Sequence, residues 1–570
     1  MEQHTSLKLS PLGVVLVIPP WNFPIAIPTG GVAAALACGN TVLFKPSPLA
    51  FPLGAEIAKC FWDAGIPREA LQLVCCENGE PIQTLSGHPD VDAIIFTGGT
   101  QTALKLLEKR PDAELSAETG GKNATIVTAM ADRDQTVEHV LHSAFSHSGQ
   151  KCSATSLLVL EKEVYEDETF RKQLLDAIQT LKVGSVWNFS NKMGPLIREP
   201  LENLRRGLET LEDGESWALQ PKCDERNLKL WHPAVKWGVK RGSFSHQTEF
   251  FGPLLSVMKA ESLDDAIEIV NDTNYGLTSG LESLDAREQK IWSEKIKAGN
   301  LYINRVTTGA IVLRQSFGGM GLSAIGAGIK AGSPNYAVQF CRIEESKPYG
   351  DSPTQGPLRE ESPLLYLARN WQTQLTRNEH AEIRSELQKT IEAIYSCLYQ
   401  YEREFSGEQD FFRLRGQDNL FRYLPIGKVT VRMHPDDGLV ETLIRIAAAR
   451  IAKCKVEISL PPDLNNSVTE FLAGTDGKRL CDSVEILTEN DENLADRILV
   501  TDPPSKIDRV RYALPNRVPQ VIHQAAAKLG KHISRHVPLA EGRIEMLRYL
   551  REQSISVDYH RYGNLGEREL

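Results

Sequence analysis

The sequence predicts an α/β protein: a doubly wound parallel sheet with helices on both faces, an α/β unit after it, and a further α/β domain toward the C-terminus. Two observations carry this. Short apolar runs alternate with helical patterns up to about residue 342, the rhythm of consecutive βαβ units. A polar stretch rich in Pro and Gly, residues 343–363, then interrupts the pattern before the same alternation resumes.

Taken in order, residues 13–18 (GVVLVI) read as a buried strand and 28–37 as a helix, with Pro28 near its start and Gly39 just past its end. Residues 41–45 are a second strand, 50–64 a helix, and 71–75 and 93–96 further strands. Thr97-Gly98-Gly99 then leads into a helix over 101–109. Strands at 124–127 and 157–160 bracket a helix ending near residue 152. Residues 170–181 are amphipathic, and 254–257, 264–270 and 301–304 extend the α/β pattern.

Beyond the break, Leu387, Ile391, Ile394, Leu398 and Tyr401 recur at steps of four and three, a helix with one apolar stripe. Strands are expected at 429–433, 456–460, 484–487 and 498–501, helices at 439–452 and 544–551, and a final extended segment at 555–562. The implied units are 1–130, 131–342 with a return to the first sheet near 257–342, a linker at 343–363, and a separate domain at 364–570.

A net charge of −10 over 570 residues argues against nucleic-acid binding, which needs a basic face. The ten cysteines form no CxxC pair and no zinc-spaced cluster with histidine, so no metal is expected and a reducing, cytoplasmic compartment fits. No apolar run is long enough to predict a membrane span, and the first residues hold no apolar signal core.

The chemistry concentrates in three segments. Cys152 sits in Gly149-Gln150-Lys151-Cys152-Ser153, and Glu118, 34 residues earlier, opens Glu118-Thr119-Gly120-Gly121-Lys122. A thiol and a carboxylate in this relation suit a nucleophile and its base. Asn22, in Pro20-Trp21-Asn22-Phe23-Pro24, offers a side-chain amide to an oxyanion. Each segment alone also reads as plain structure: a lone Cys packs, an Asn beside Trp and Pro makes a turn, and a Glu before Thr-Gly-Gly accepts main-chain hydrogen bonds.

In order and rough spacing, the three segments resemble the aldehyde dehydrogenase superfamily. The resemblance implies an aldehyde-dehydrogenase-like dinucleotide-binding sheet and NAD(P)-dependent oxidation of an aldehyde to an acid. Cys152 would form a thiohemiacetal and then a thioester. Glu118 would activate water, and Asn22 with the Cys152 N–H would face the oxyanion. The resemblance also implies a cofactor site: Trp21, Lys45 and Ser47 (in Phe44-Lys45-Pro46-Ser47), Gly98, Gly99, Glu249 and Phe251 (in Glu249-Phe250-Phe251-Gly252-Pro253). Lys45 would contact the adenosine ribose, and the helix opened by Gly98-Gly99 would face the pyrophosphate. Glu249 would hold the nicotinamide ribose with Phe251 beside it. Read singly, Lys45 is a solvated charge and Gly98-Gly99 a turn. Pro48 stands where many relatives carry a Glu for the ribose hydroxyls, and Gly99 where many carry Ser. NAD is the expected cofactor, with NADP left open.

Ser153 after the nucleophile, the run Asn304-Arg305-Val306-Thr307-Thr308-Gly309-Ala310, and Gln315-Ser316-Phe317-Gly318-Gly319 narrow the resemblance. They are similar to L-glutamate γ-semialdehyde (1-pyrroline-5-carboxylate) dehydrogenases. This implies that Ser153 and the main-chain N–H groups of Gly309 and Ala310 bind the substrate's α-carboxylate while Phe317 packs on its aliphatic chain. Ser316 replaces the Pro usual in that family.

Residues 1–342 resemble the dehydrogenase module of bifunctional proline-utilisation proteins, and 364–570 resemble the extra aldehyde-dehydrogenase-like domain of their longer members. Residues 555–564 resemble the tail that covers the dehydrogenase site there. A proline dehydrogenase domain or subunit is therefore an expected partner, the second step of proline catabolism an expected role, and a homo-oligomer an expected state. FAD would belong to the proline dehydrogenase and is not assigned. The chain starts close to the strand before Pro20, whereas relatives carry further helices ahead of it. An N-terminally incomplete first domain with exposed apolar sheet surface is thus expected. The competing readings are a catalytically impaired fragment or assembly subunit, and an aldehyde dehydrogenase of another substrate.

Overall fold

The computed structural model describes residues 7–312, 314–345, 358, 361–377, 381–502 and 505–559. Three sheets organise them. In the first, the β-branched strand Val14–Ile18 is central. Thr41–Phe44 and Leu71–Leu73 lie on one side of it, Ala93–Thr97 and Glu114–Glu118 on the other, all parallel. The short strand Ala324–Ile325 returns antiparallel to Glu114–Glu118.

Strand periodicity sends alternate residues to opposite faces. Leu16 and Ile18 pack with Ile94, Phe96, Leu106 and Leu107. Val15 and Val17 pack with Val32, Val42, Ile57 and Phe340 on the other face. The helices Thr100–Lys109 and Gln520–Leu529 cover the first face, and Ala26–Ala37 and Phe51–Asp63 the second. Among the described residues the sheet itself is therefore covered on both faces, and the expected bare apolar surface is not seen. Ala527, from the C-terminal region, closes part of it.

The second sheet has ten strands. Its parallel centre runs Leu550–Asp558, Asn300–Ile303, Thr278–Glu282, Ala124–Val127, Leu157–Glu161, Leu254–Ala260, Ala234–Trp237. Gln417–Pro425 and Ser216–Leu219 flank it antiparallel, with Gln409–Asp410 outermost beside the former. Two expected boundaries shift. Ala124–Val127 already belongs to this sheet, so the chain leaves the first sheet at residues 119–123 rather than 130. Leu254–Ala260 also lies here, and the return to the first sheet comes only with Ala324–Ile325.

The third sheet is parallel, in the order Glu485–Thr488, Lys455–Leu460, Lys428–Arg432, Arg509–Arg511, Ile533–Ser534. Residues beyond 364 are not self-contained, however. Gln417–Pro425 pairs over nine residues with Leu550–Asp558, which in turn pairs with Asn300–Ile303. Two segments correct the sequence reading. The predicted strand at 498–501 is the end of the helix Asp491–Ile498, which Asn490 caps and whose Leu494, Ala495 and Ile498 face the core. The predicted helix at 544–551 is a short helix, Gly542–Met546, followed by strand. Glu541 caps that helix through the N–H groups of Arg543 and Ile544, and strand pairing takes over from Leu550. Most of the linker, and residues 560–564 of the tail, lie outside the described residues.

Candidate active site

Cys152 sits beyond the helix Arg133–Phe145, in a turn built by three consecutive left-handed residues. These are His147 (φ 56), Ser148 (φ 55) and Gly149 (φ 68). A Cβ on Gly149 would lie 2.2 Å from the Gly252 carbonyl oxygen, so the turn is packed against the segment carrying Glu249 and Phe251. Asn123 fastens the other side. Its Nδ2 donates to the carbonyls of Cys152 (2.5 Å) and Ala154 (3.0 Å), and its Oδ1 accepts from the Thr278 N–H (3.1 Å).

Asn22 reaches the same loop, with Nδ2 donating to the Gln150 carbonyl at 3.1 Å. Because a side-chain amide has two N–H donors, one remains for a ligand. Glu118 ends the strand Glu114–Glu118, and one carboxylate oxygen accepts the Gly319 N–H at 2.8 Å. Burial pushes its carboxyl up to about 8, against the opposing pull of that hydrogen bond and of Lys330. Burial, then the charges of Glu249 and Glu118, push the Cys152 thiol up to about 12, while the Ser153 and Cys152 N–H groups favour the thiolate. The resting site therefore holds a neutral thiol near two carboxyls.

Gly99 caps the helix Thr100–Lys109, whose first turn has no side-chain cap and no acidic residue, so its free N–H groups suit an anion. A Cβ on Gly99 would meet nothing within 4 Å. Phe251 takes a left-handed φ of 55 and meets Trp21 edge to face at 5.8 Å. The Glu249 carboxylate accepts the Gly121 N–H at 2.8 Å, and burial raises its carboxyl to about 7. These residues fit a dinucleotide. Lys45 differs from a solvated charge: it is buried, and its ammonium donates to Asn78 Oδ1 at 2.8 Å. Ser47 opens a short 3-10 turn by accepting the Ala50 N–H at 2.9 Å.

Ser153 is buried, and its carbonyl accepts the Thr307 hydroxyl at 3.1 Å, which ties the 307–310 loop to the cysteine loop. The Thr307 N–H donates to Ser143 Oγ at 3.0 Å. Gly309 has φ +83 with open space where a Cβ would be. Ala310 is half-buried beside it, and Phe317 is held by paired main-chain bonds to Ala331.

Sequence reasoning missed several neighbours. Lys330 and Glu552, both buried, act on Glu118. Gln315 accepts the Ile311 N–H at 3.0 Å and donates to Asn419 (2.6 Å) and Ser556 (3.1 Å); Arg305 also bonds Ser556. Gln315 and Arg305 lie inside segments that carry the resemblance, but partners more than a hundred residues away leave no local signal. Among the described residues no cluster of metal ligands occurs, and no helix is long and apolar enough to cross a membrane.

A family model, the aldehyde dehydrogenase family, matches residues 1–345. The chain belongs to the aldehyde dehydrogenase family. It is 34% identical over 339 residues to a 1-pyrroline-5-carboxylate dehydrogenase of Geobacillus sp. (strain WCH70), covering 58% of this chain and 65% of that one. It is 34% identical over 338 residues to the enzyme so named in Bacillus subtilis (strain 168), covering 57% and 64%. Among solved structures, Proline Utilization A from Corynebacterium freiburgense matches at TM-score 0.81 and 36% identity, over 97% of this chain and 51% of that one. A 1-pyrroline-5-carboxylate dehydrogenase from Thermus with bound NAD matches at TM-score 0.55 and 34% identity, over 60% and 68%. The chain thus spans just under two thirds of the curated relatives and about half of the Corynebacterium protein.

Proposed function

We propose that this aldehyde dehydrogenase family member oxidises L-glutamate γ-semialdehyde to L-glutamate with NAD, the second step of proline catabolism. The observation that carries the reading is the convergence of Asn22 and Glu118 on the half-buried Cys152 loop, next to a 307–310 turn with free main-chain donors. The relatives' names and the NAD-bound Thermus structure support the substrate and cofactor.

Cys152, its thiol proton passed to ionised Glu118 and on to solvent, attacks the aldehyde carbon, and the new oxyanion faces the spare Asn22 N–H and the Cys152 N–H. NAD, which Glu249, Phe251 and the helix opened by Gly98-Gly99 would hold, would supply the hydride acceptor that turns the Cys152 adduct into a thioester. Glu118, ionised, takes a proton from water as the water adds to the thioester; glutamate leaves and the thiolate is restored. Ser153 Oγ and the N–H groups of Gly309 and Ala310 anchor the α-carboxylate, and Phe317 packs on the methylenes. A proline dehydrogenase, as domain or subunit, would supply the substrate; the match to Proline Utilization A supports this. A cytoplasmic homo-oligomer is the state in which we place the enzyme.

The test is NADH formation from L-glutamate γ-semialdehyde by the purified chain, beside a Cys152→Ala control. Turnover that vanishes in the control is expected. Soluble, folded protein with no Cys152-dependent turnover would overturn the reading. Equal kcat/KM for succinate semialdehyde would remove the roles given to Ser153, Gly309 and Ala310.

A further inference from the structure

A cavity of about 420 Å³, with Glu118 among its lining residues, opens between the first sheet and the amino-terminal edge of the third. Its walls come from the strand Glu114–Glu118, the loop 319–330 and the segments that lead into Lys428–Arg432, Arg509–Arg511 and Ile533–Ser534.

The charge along this wall is unbalanced. Arg509, Arg551, Lys531 and Lys506 all line the cavity, with Asp502 and Asp508 as the carboxylates from the same side. Only Lys506 has one of them near, at 3.6 Å from Asp508. Among the described residues no carboxylate comes within ion-pair distance of Arg509, Arg551 or Lys531. Their hydrogen bonds go to main-chain carbonyls instead. Arg509 donates to Arg548 (2.7 Å) and Ala327 (2.8 Å), Arg551 to Ile426 (2.7 Å), and Lys531 to Ile498 and Val500.

Arg509 is 4% exposed, and both Arg509 and Arg551 keep a buried Nε without any partner. Burial first, and then repulsion from Arg551, hold the Arg509 guanidinium down to about 9. Two adjacent guanidiniums with spare donors, no carboxylate in ion-pair contact and only the more distant charge of Asp508 to share are costly in a low-dielectric interface, and an oxyanion supplies both the charge and the acceptors.

We infer that this interdomain cavity is a binding site for a small polyanion, a molecule carrying at least two phosphate or carboxylate charges, held by Arg509 and Arg551 with Lys531 and Lys506 at its mouth. The cavity is large enough for a small metabolite and too large for a lone simple ion. Glu118 is the one proposed catalytic residue that lines this cavity; Cys152, Asn22 and the residues proposed to hold the cofactor do not.

Isothermal titration calorimetry on the full chain tests this, with inorganic pyrophosphate and citrate as separate probes at matched ionic strength. Saturable binding of at least one probe is expected, and the preferred probe tells phosphate from carboxylate chemistry. Arg551→Gln should weaken binding at least tenfold. Because Arg551 also bonds the Ile426 carbonyl, Lys531→Gln and Lys506→Gln serve as milder variants, each expected to weaken binding severalfold. The bound probe should also raise the Tm of the unaltered chain and shift that of Arg551→Gln less. No saturable binding of either probe, or binding unchanged in all three variants, would overturn the inference.

Discussion

The first and third sheets share one topology and use it differently. Numbered along the chain, the parallel strands of each lie in the order 3-2-1-4-5. Each has its switch point between strands 1 and 4, where α/β sheets open a ligand crevice beyond the carboxyl ends. In the first sheet those ends, Ile18 and Thr97, lead into Trp21-Asn22 and Gly98-Gly99. In the third they are Arg432 and Arg511, and a fully buried arginine, Arg445, lies across both, donating to their carbonyls at 3.0 and 3.3 Å. Arg445 is paired with buried Asp437, which Arg517 also holds at 2.7 Å. Topology gives both sheets the location of a crevice; the side chains at the strand ends decide whether it stays open.

Removing the chemistry from the open site should have the largest effect. Glu118→Gln is expected to lower kcat by about 10²–10⁴, the usual range for a lost general base. In the unaltered chain the base must be ionised to act and its carboxyl is held near 8, so activity should rise with pH through about 8. A pH–rate profile with that limb missing in Glu118→Gln checks both statements.

The plug of the third sheet should matter for stability instead. Asp437→Asn leaves Arg445 without its charge partner and is expected to cost about 3–5 kcal/mol, read by urea unfolding. NAD titration should still give one site per chain; two would break the comparison.

Acid should loosen the seam between the two sheets. Burial holds His532 at about 3 and His536 at about 4, both depressed from 6.5. Their contribution is full above 6.5 and is lost as pH falls toward 4, because the unfolded chain then binds protons the folded one refuses. Glu114, held at about 2 chiefly by Arg535 against the cost of burial, adds a loss that starts as pH drops through its unfolded value near 4.5. The Tm should fall steadily from pH 6.5 to 4, and His536→Gln should flatten that fall. The smallest effect belongs to Gly99→Ser. Open space surrounds the site of the added Cβ, so kcat/KM should change by less than about twofold by steady-state assay.

Legibility in the sequence followed apolarity. Buried runs such as VVLVI and AIIF were readable as strands because both faces demand hydrophobic side chains. The strand bearing Glu118 (ELSAE) and the strand Arg509–Arg511 (RVR) escaped, since they place charged residues in a sheet and those side chains find their hydrogen-bond partners far along the chain. The site segments stood out as local motifs, whereas Asn123, Lys330 and Glu552 did not: each acts through a contact that only the fold creates. The ten-stranded sheet was illegible for the same reason, its key pairing joining residues 300–303 to 554–557.

That pairing also sets an order of events during synthesis. The strand Asn300–Ile303 emerges some 250 residues before its neighbour Leu550–Asp558 exists. Until then one edge of the central sheet is open, with unpaired main-chain groups that invite pairing with another chain. The loop that must close is some 250 residues long, so sealing this edge should be a late and slow step of folding. A nascent chain stalled before residue 550 would be a half-finished sheet in need of a chaperone or a neighbour.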